Sequence, residues 1–424
     1  MKLIIKQPHI IDPKNQLDGI FDVAIENGTI ANVAKSINGK ADETIEAKGL
    51  YLFPGLLDLH THLREPGYEY QETIASGAAA ARAGGFVGCV SMPNTEPACD
   101  SASVVDAILA KAAKAQFSVF PCGAITKARA GKELSEMADL KAAGCIAVSD
   151  DGCSVPDALL ARRSMEYASM NGLLVMIHPE DRDLSKAGFI HEGVTSTRLG
   201  LRGIPHAAED VMVARDIELA KLSGAAIHFQ HVSSARSVHL IREAKKRGVK
   251  VTAEVTPHHI ALIDEDIIEY NTNLKINPPL RGKGDRDALI QGLADGTIDA
   301  IATDHAPHQE MEKDVEFDKA AFGTIGLETA LAVALTKLYH TKVLSLKELI
   351  MKMSINPQTI LGLTDFAEVK KGIVANLCLV DVGKEWIVKK EALHSLSKNS
   401  CFLGQKLKGH VTATICQGVL YRFD

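Results

Sequence analysis

Along the chain, short apolar runs alternate with alanine-rich stretches whose apolar positions return every three or four residues. The runs at Leu56–Leu59, Phe86–Met92, Phe117–Gly123, Cys145–Ser149, Leu173–His178, Ala225–His231, Val249–Val255 and Ile298–Thr303 predict strands. Between them, Glu72–Ala83, Ser101–Ala115, Glu133–Ala143, Asp157–Asn171, Ala207–Ser223, Ala235–Arg247 and Asp285–Ala294 predict helices, with Leu327–Tyr339 after the last strand. Gly84, Gly172, Gly224, Gly248 and Gly296 stand where these helices are expected to stop. Strands separated by helices of this length pair in parallel, because only a crossover brings the next strand round in the same direction. Eight such strands predict an α/β chain built on a (β/α)8 barrel of the TIM type.

Both ends carry another pattern. LIIKQPHIID and FDVAIENGTIANVAKSI at the start read as short strands, with Asn27-Gly28 as a two-residue hairpin turn. After residue 360, KKGIVANLCLVDV and GHVTATICQGVLYRF return to β alternation. A helix-rich middle flanked by β-rich ends predicts that the ends meet as one small β-sandwich domain. The expected divisions are 1–54 and 361–424 for its two parts and 55–360 for the barrel. No internal repeat or low-complexity linker interrupts them.

Composition narrows the chemistry. Of 424 residues, 46% are hydrophobic and 24% charged, which suits a large buried core and excludes fibrous or disordered classes. Lys+Arg 47 against Asp+Glu 53 gives a net charge of −6, so no basic field points to nucleic acid. The eight cysteines are scattered, with no C-x-x-C pair, and read as reduced thiols. The start, MKLIIKQPHIIDPKNQ, fits no signal peptide, and no uncharged stretch approaches the ~20 apolar residues of a membrane span. A cytoplasmic protein without membrane or nucleic-acid partners is expected.

Active sites of such barrels lie at the C-terminal ends of the strands. His60 and His62 stand one residue apart where the first strand ends, so both imidazoles point to one side and suit a shared metal. Asp151, His178, His231 and Asp304 follow at later strand ends. Imidazole and carboxylate without thiolate suit zinc, and also manganese or cobalt, and six such groups are enough for two ions. His228, three residues before His231, faces the other way on a regular strand and reads as structural. His9, His191, His206, His239, His340, His394 and His410 also read as ordinary core or surface residues. Asp304 is placed to take a proton from a water activated by metal and pass it to a leaving nitrogen, with His308 facing the substrate.

DLHTHLREPG at 58–67 and ATDHAPHQEMEK at 302–313 resemble the two signature stretches of the dihydroorotases, in the amidohydrolase superfamily. The likeness continues through SMPNTEP at 91–97, SDDG at 149–152, HPE at 178–180, QHVSS at 230–234, TPHH at 256–259 and INPPLR at 276–281. The resemblance implies a zinc enzyme of pyrimidine synthesis that interconverts L-dihydroorotate and N-carbamoyl-L-aspartate. His60, His62, Asp151, His178, His231 and Asp304 would be the ligands of one or two zinc ions, two being expected. Many relatives bridge their metals with a carboxylated lysine from the fourth strand. Here that place reads Ala147-Val148-Ser149-Asp150-Asp151, which resembles the type with a bridging aspartate, Asp151, with Asp150 as the alternative. By the same resemblance, Arg64, Asn94 and His308 hold the substrate carboxylate, for which a guanidinium offers a bidentate grip. Asn277 and the backbone of Ala321, Phe322 and Gly323 would hold the ring amide groups. A homodimer is expected, as is association with an aspartate transcarbamoylase. One departure, Ala375-Asn376-Leu377 where relatives commonly carry Ala-Asp-Leu, lies outside the barrel.

Two other readings compete. Hydantoinases, dihydropyrimidinases and allantoinases act on cyclic amides without the aspartate-derived carboxylate, so the Arg64, Asn94 and His308 set argues against them. A non-catalytic scaffold subunit for a transcarbamoylase would have lost metal ligands, and here every ligand place is filled.

Overall fold

The computed structural model describes residues 2–423. Eight parallel strands form one sheet in sequence order: β1 (Leu56–Thr61), β2 (Phe86–Ser91), β3 (Ser118–Gly123), β4 (Ala147–Val148), β5 (Leu174–Ile177), β6 (Ile227–Phe229), β7 (Val251–Val255) and β8 (Ala300–Ile301). The sheet closes where Thr61 bridges His305 in parallel, with the His62 amide donating to the His305 carbonyl at 2.9 Å. Asp58 strengthens the same seam, its carboxylate accepting from the Thr303 amide at 3.0 Å and from the Thr303 hydroxyl at 2.5 Å.

The crossover helices are α1 (Ile74–Ala83), α2 (Ala102–Ala115), α3 (Met137–Ala143), α4 (Ala158–Met170), α5 (Ala207–Ser223), α6 (Ala235–Lys246), α7 (Lys283–Ala294) and α8 (Ala330–Ala334). Several begin on a side chain that satisfies an otherwise unpaired amide. Thr73 accepts from the Ser76 amide, Asp157 from that of Leu160 and Ser234 from that of Ser237. Gly224 ends α5 with φ 71, as a helix stop requires. Gly84 ends α1 for another reason. Its φ is −85, but a Cβ there would lie 2.0 Å from the Leu327 carbonyl oxygen. The last helix differs most from expectation: regular α-helix covers only α8, and Leu335–Tyr339 continues as a π-turn.

The expected strands are longer than those observed, above all at β4 and β8, where only two residues each remain in the ladder. The residues that leave it carry the polar groups described below. Once Asp151 and Asp304 turn inward to meet neighbouring strands, their backbone no longer follows the pleat.

The two chain ends meet. A six-stranded sheet runs in the order Val419–Arg422, Lys406–Cys416, Leu377–Ile387, Tyr51–Pro54, His9–Asp12 and Leu17–Ile20, and a four-stranded sheet holds Thr29–Ala34, Asp22–Glu26, Lys2–Lys6 and Glu43–Glu46. Leu377 pairs with Pro54 and Val380 with Tyr51, antiparallel. Leu3, Ile5 and Val23 of one sheet pack with Ile10, Leu52, Leu379 and Ile415 of the other in a shared core, which makes this a sandwich. Asn27 (φ 49) and Gly28 (φ 80) form the hairpin turn, with Glu26 paired to Thr29. Asn376 ties the sandwich together: its Nδ2 donates to the Phe366 carbonyl at 2.7 Å and its Oδ1 accepts from the Gln417 amide at 2.8 Å.

Glu72, just before α1, is fully buried and accepts from the Leu396 amide at 3.0 Å and from the hydroxyls of Ser76 and Ser395. It joins the barrel to the far end of the sequence. Among the described residues, no helix is long and apolar enough to cross a membrane.

Candidate metal centre and cavity

Three polar residues converge at the end of β1 and just past that of β4. His60, His62 and Asp151 offer ligand atoms within 4.8 Å of one another, and so do Asp151, His178 and His231. Asp151 belongs to both groups. Its Oδ1 lies 3.3 Å from His60 Nε2, 3.6 Å from His178 Nδ1 and 3.8 Å from His231 Nε2, and its Oδ2 lies 3.6 Å from His62 Nε2. Asp304 Oδ1 stands 2.9 Å from His62 Nε2 and 3.5 Å from His60 Nε2. Asp150 points elsewhere, accepting from the amide and hydroxyl of Thr126.

The donor set fits a metal. Among the described residues, His60 Nε2 and Asp151 Oδ1 find no hydrogen-bond partner inside the cluster where they are buried, a state that is costly unless another group satisfies them. His178 Nδ1 and His231 Nε2 face each other at 2.7 Å, two basic nitrogens turned to one point. The electrostatics agree. Burial opposes protonation of His60, but Asp151 and Asp304 outweigh it and hold its pKa well above the ordinary value. His178 is pushed up to about 10, against burial, by Asp151 and Glu180. Asp151 and Asp304 fall in turn, despite burial, because the imidazoles surround them. At His60 and His178 the cluster favours positive charge, which a divalent cation would supply, while at His62 burial outweighs the carboxylates and lowers the imidazole.

Three of the four inward-facing rings are aimed from behind. His60 Nδ1 donates to Glu254 Oε1 at 2.8 Å, His62 Nδ1 to Asn94 Oδ1 at 2.8 Å and His178 Nε2 to Glu180 Oε2 at 2.8 Å. A second proton donor, His228 Nε2, lies 3.0 Å from Glu254 Oε2. His228 therefore belongs to the support of the site, one bond removed from His60. Parity along a regular strand puts His228 on the opposite face, but His231 has φ 32, so the strand is already broken between the two histidines. Asp304 (φ 47) and Arg64 (φ 62) share this left-handed backbone, which costs a non-glycine residue roughly 1–3 kcal/mol and collects at functional sites. Glu254 and Glu180 had no role assigned from sequence. Glu254 left a trace, as the lone charge in the apolar run VTAEV.

Above the cluster opens a cavity of about 390 Å³. His62, Arg64, Asn94, Asp151, His178, His231, Asn277, Asp304, His308, Phe322 and Gly323 line it, while His60 lies wholly buried beneath. Arg64 Nη2 donates to His308 Nε2 at 3.2 Å and Arg64 Nε to the Pro307 carbonyl at 3.2 Å. Burial and the nearby Arg64 and Lys313 push His308 down to about 2, so it is a neutral ring. Asn277 Nδ2 donates to Glu180 Oε2 at 3.2 Å. Ala321 is outside the cavity lining and its backbone is already engaged, its amide donating to the Glu312 carbonyl at 3.0 Å and its carbonyl accepting from Lys313 Nζ at 2.7 Å. The Gly323 amide likewise donates to the Lys275 carbonyl at 2.9 Å. Among the described residues, the Phe322 amide between them has no such partner.

A third group, His191, His206 and Asp285, has ligand spacing but the wrong charge. Arg281 Nη1 approaches His191 Nδ1 at 3.3 Å, and burial together with Arg281 pushes that imidazole down to about 4. A guanidinium already stands where a cation would have to come.

A dihydro-orotase-like family model matches residues 49–237. The chain is 49% identical over 428 residues to a dihydroorotase of Syntrophus aciditrophicus (strain SB), with 100% of both chains covered. It is 48% identical over 418 residues to a dihydroorotase of Pelotomaculum thermopropionicum, covering 99% of this chain and 98% of the relative. Among solved structures, the L-hydantoinase (dihydropyrimidinase) from Arthrobacter aurescens matches with a TM-score of 0.87 at 22% identity, over 99% of this chain and 95% of that one. The dihydropyrimidinase from Brevibacillus agri NCHU1002 matches with a TM-score of 0.86 at 22% identity over the same shares. Likeness at that identity shows the barrel-and-sandwich fold alone, whereas near-half identity along the full length shows descent: the chain belongs to the dihydroorotase family.

Proposed function

We propose that the protein catalyses the reversible hydrolysis of L-dihydroorotate to N-carbamoyl-L-aspartate with two zinc ions. His60, His62 and Asp304 would hold one ion, His178 and His231 the other, and Asp151 both. Bound zinc would supply an activated water and polarise the ring amide carbonyl. Asp304 accepts the water proton as the water oxygen joins the carbonyl carbon, and returns it to the ring nitrogen as the C–N bond breaks. In the opposite direction Asp304 takes the proton from the carbamoyl nitrogen and gives it to the departing water.

Arg64 is the observation that carries the reading. Its guanidinium lines the cavity, held in place by Pro307 and His308, with no carboxylate hydrogen-bonded to it among the described residues. It offers the substrate carboxylate a fixed cation, and Asn94 and His308 complete the cradle. Asn277 and the unpartnered Phe322 amide face the ring amide groups. Substrates without a carboxylate leave Arg64 unanswered, which favours dihydroorotate over hydantoins. The divisions 1–54, 55–360 and 361–424, the homodimer and association with an aspartate transcarbamoylase complete the reading. Sedimentation of the chain, alone and mixed with that enzyme, measures the last two.

The deciding experiment follows L-dihydroorotate hydrolysis by ultraviolet absorbance, with metal analysis of the same sample and of Asp304→Ala. Turnover by zinc-loaded wild type is expected, with a fall of about 10²–10⁴-fold in Asp304→Ala after reconstitution with excess zinc, as loss of a proton shuttle requires. Turnover of hydantoin or dihydrouracil at a rate equal to dihydroorotate overturns the substrate assignment.

A further inference from the structure

Two lysines lie buried behind the cavity wall. Lys313 is 5% exposed and Lys275 2%. Among the described residues neither ammonium pairs with a carboxylate, although buried charges ordinarily do. The hydrogen bonds of Lys313 run to backbone carbonyls instead, at 2.7 Å to Ala321, 3.0 Å to Gly323 and 3.4 Å to Lys275. Lys275 donates to the Asp318 carbonyl at 3.0 Å, and its ammonium lies 4.6 Å from the Phe322 ring centroid and 4.9 Å from that of Phe189. Burial accordingly lowers both amines, Lys313 to about 7 and Lys275 to about 8. Holding two like charges here is unfavourable, and what they hold in common is one short segment, 318–323.

Within that segment Lys313 grips the carbonyls on both sides of Phe322, the residue that lines the cavity and keeps its amide unbonded. We propose that Lys313 is a positioning residue for substrate recognition, clamping Ala321 and Gly323 so that the Phe322 amide is presented to the ring. Asn399 supports the clamp, its Nδ2 donating to the Gly323 carbonyl at 3.2 Å. The proposal rests on the reading that the 321–323 backbone contacts dihydroorotate. It adds that the contact is prearranged by an ammonium that never touches substrate.

The test compares wild type, Lys313→Met and Lys313→Arg, all zinc-loaded, by steady-state kinetics with L-dihydroorotate and by amide hydrogen exchange of 318–323 without substrate. A prearranged contact predicts that Lys313→Met raises KM about tenfold while kcat and metal content stay within about twofold. Exchange in 318–323 should quicken in the same variant. Lys313→Arg keeps the charge and donors, and should recover most of the loss. Unchanged KM with unchanged exchange overturns the proposal, as does a fall in kcat with KM and exchange unmoved. If Lys313→Met does not fold, Lys313→Gln carries the test, and wild-type KM and exchange in that variant overturn the proposal. If wild type fails to hydrolyse dihydroorotate, the substrate reading fails instead. The clamp is then judged by exchange alone, and unaltered protection of 318–323 in Lys313→Met overturns it.

Discussion

His60 and His178 hold protons where the site is to hold metal. The neighbouring carboxylates raise both imidazoles, His60 well above its ordinary value and His178 to about 10, so both favour the protonated form before metal enters. A cation at the same nitrogens must displace those protons, and affinity therefore weakens as pH falls. Titrating the metal-free protein with zinc at pH 7, in buffers of different ionisation heat, should show release of more than about one proton per chain. Buffer-independent heats would mean that the imidazoles are neutral. Glu254 fixes which nitrogen of His60 faces inward, and Glu254→Gln should weaken metal binding about 10–100-fold in competition with a chelator. Full affinity in that variant would deny it the orienting role. The inward residues are legible in the sequence because strand ends mark them, as His60, His62 and Asp304 illustrate. Glu254 and Glu180 are not, since each acts on the far nitrogen of a ring and no spacing reports that. His228 misleads because parity along a strand holds only while the strand stays regular, and His231 breaks it.

Strands and helices follow the apolar pattern closely where burial alone decides them. α5 begins and ends as expected because one buried face, led by Met212, Val213 and Ile217, runs its length between polar residues. The pattern fails where polar groups take over the backbone, as at β4 and β8, and where helix continues with altered pitch, as at Leu335–Tyr339. Such changes come from packing between elements, which a local window does not contain. Gly84 illustrates this: the sequence shows a helix stop, but the structure shows α1 pressed against the Leu327 carbonyl. Gly84→Ala needs no unusual φ, yet its methyl has no room. It should cost about 1–3 kcal/mol in urea unfolding, as overpacking does, with kcat of the folded enzyme unchanged. A loss within about 0.5 kcal/mol, the range of ordinary surface substitutions, would show that α1 moves aside freely.

Barrel and sandwich are held as one body by contacts between residues far apart in sequence. Glu72 is the clearest, its carboxylate receiving Ser76 at the start of α1 and both Ser395 and Leu396. Burial raises its pKa, but hydrogen bonds from His305, Ser395 and Ser76 prevail and hold it below the ordinary 4.5. A carboxylate lowered in this way stabilises the fold fully above about pH 4.5 and ceases to as pH falls through its native pKa. Glu72→Gln should cost about 1–3 kcal/mol at pH 7 and less at pH 3, measured by urea unfolding at both. Equal losses at the two pH values would show that shape, not charge, joins the parts. The meeting of the chain ends was readable as texture, β at both ends and helix between. The partners were not, because no local feature of Tyr51–Pro54 names Leu377–Ile387 as its neighbour.

That pairing also sets an order of events. Barrel strands adjacent in sequence can join as soon as both exist, but Tyr51–Pro54 must wait, edge open, until residues beyond 376 arrive. During synthesis this edge of the sandwich therefore pairs only after the barrel strands have emerged. The chain's one tryptophan, Trp386, lies on the late-arriving strand with its Nε1 donating to the Gly409 carbonyl at 2.9 Å, so its fluorescence reports the docking of that strand.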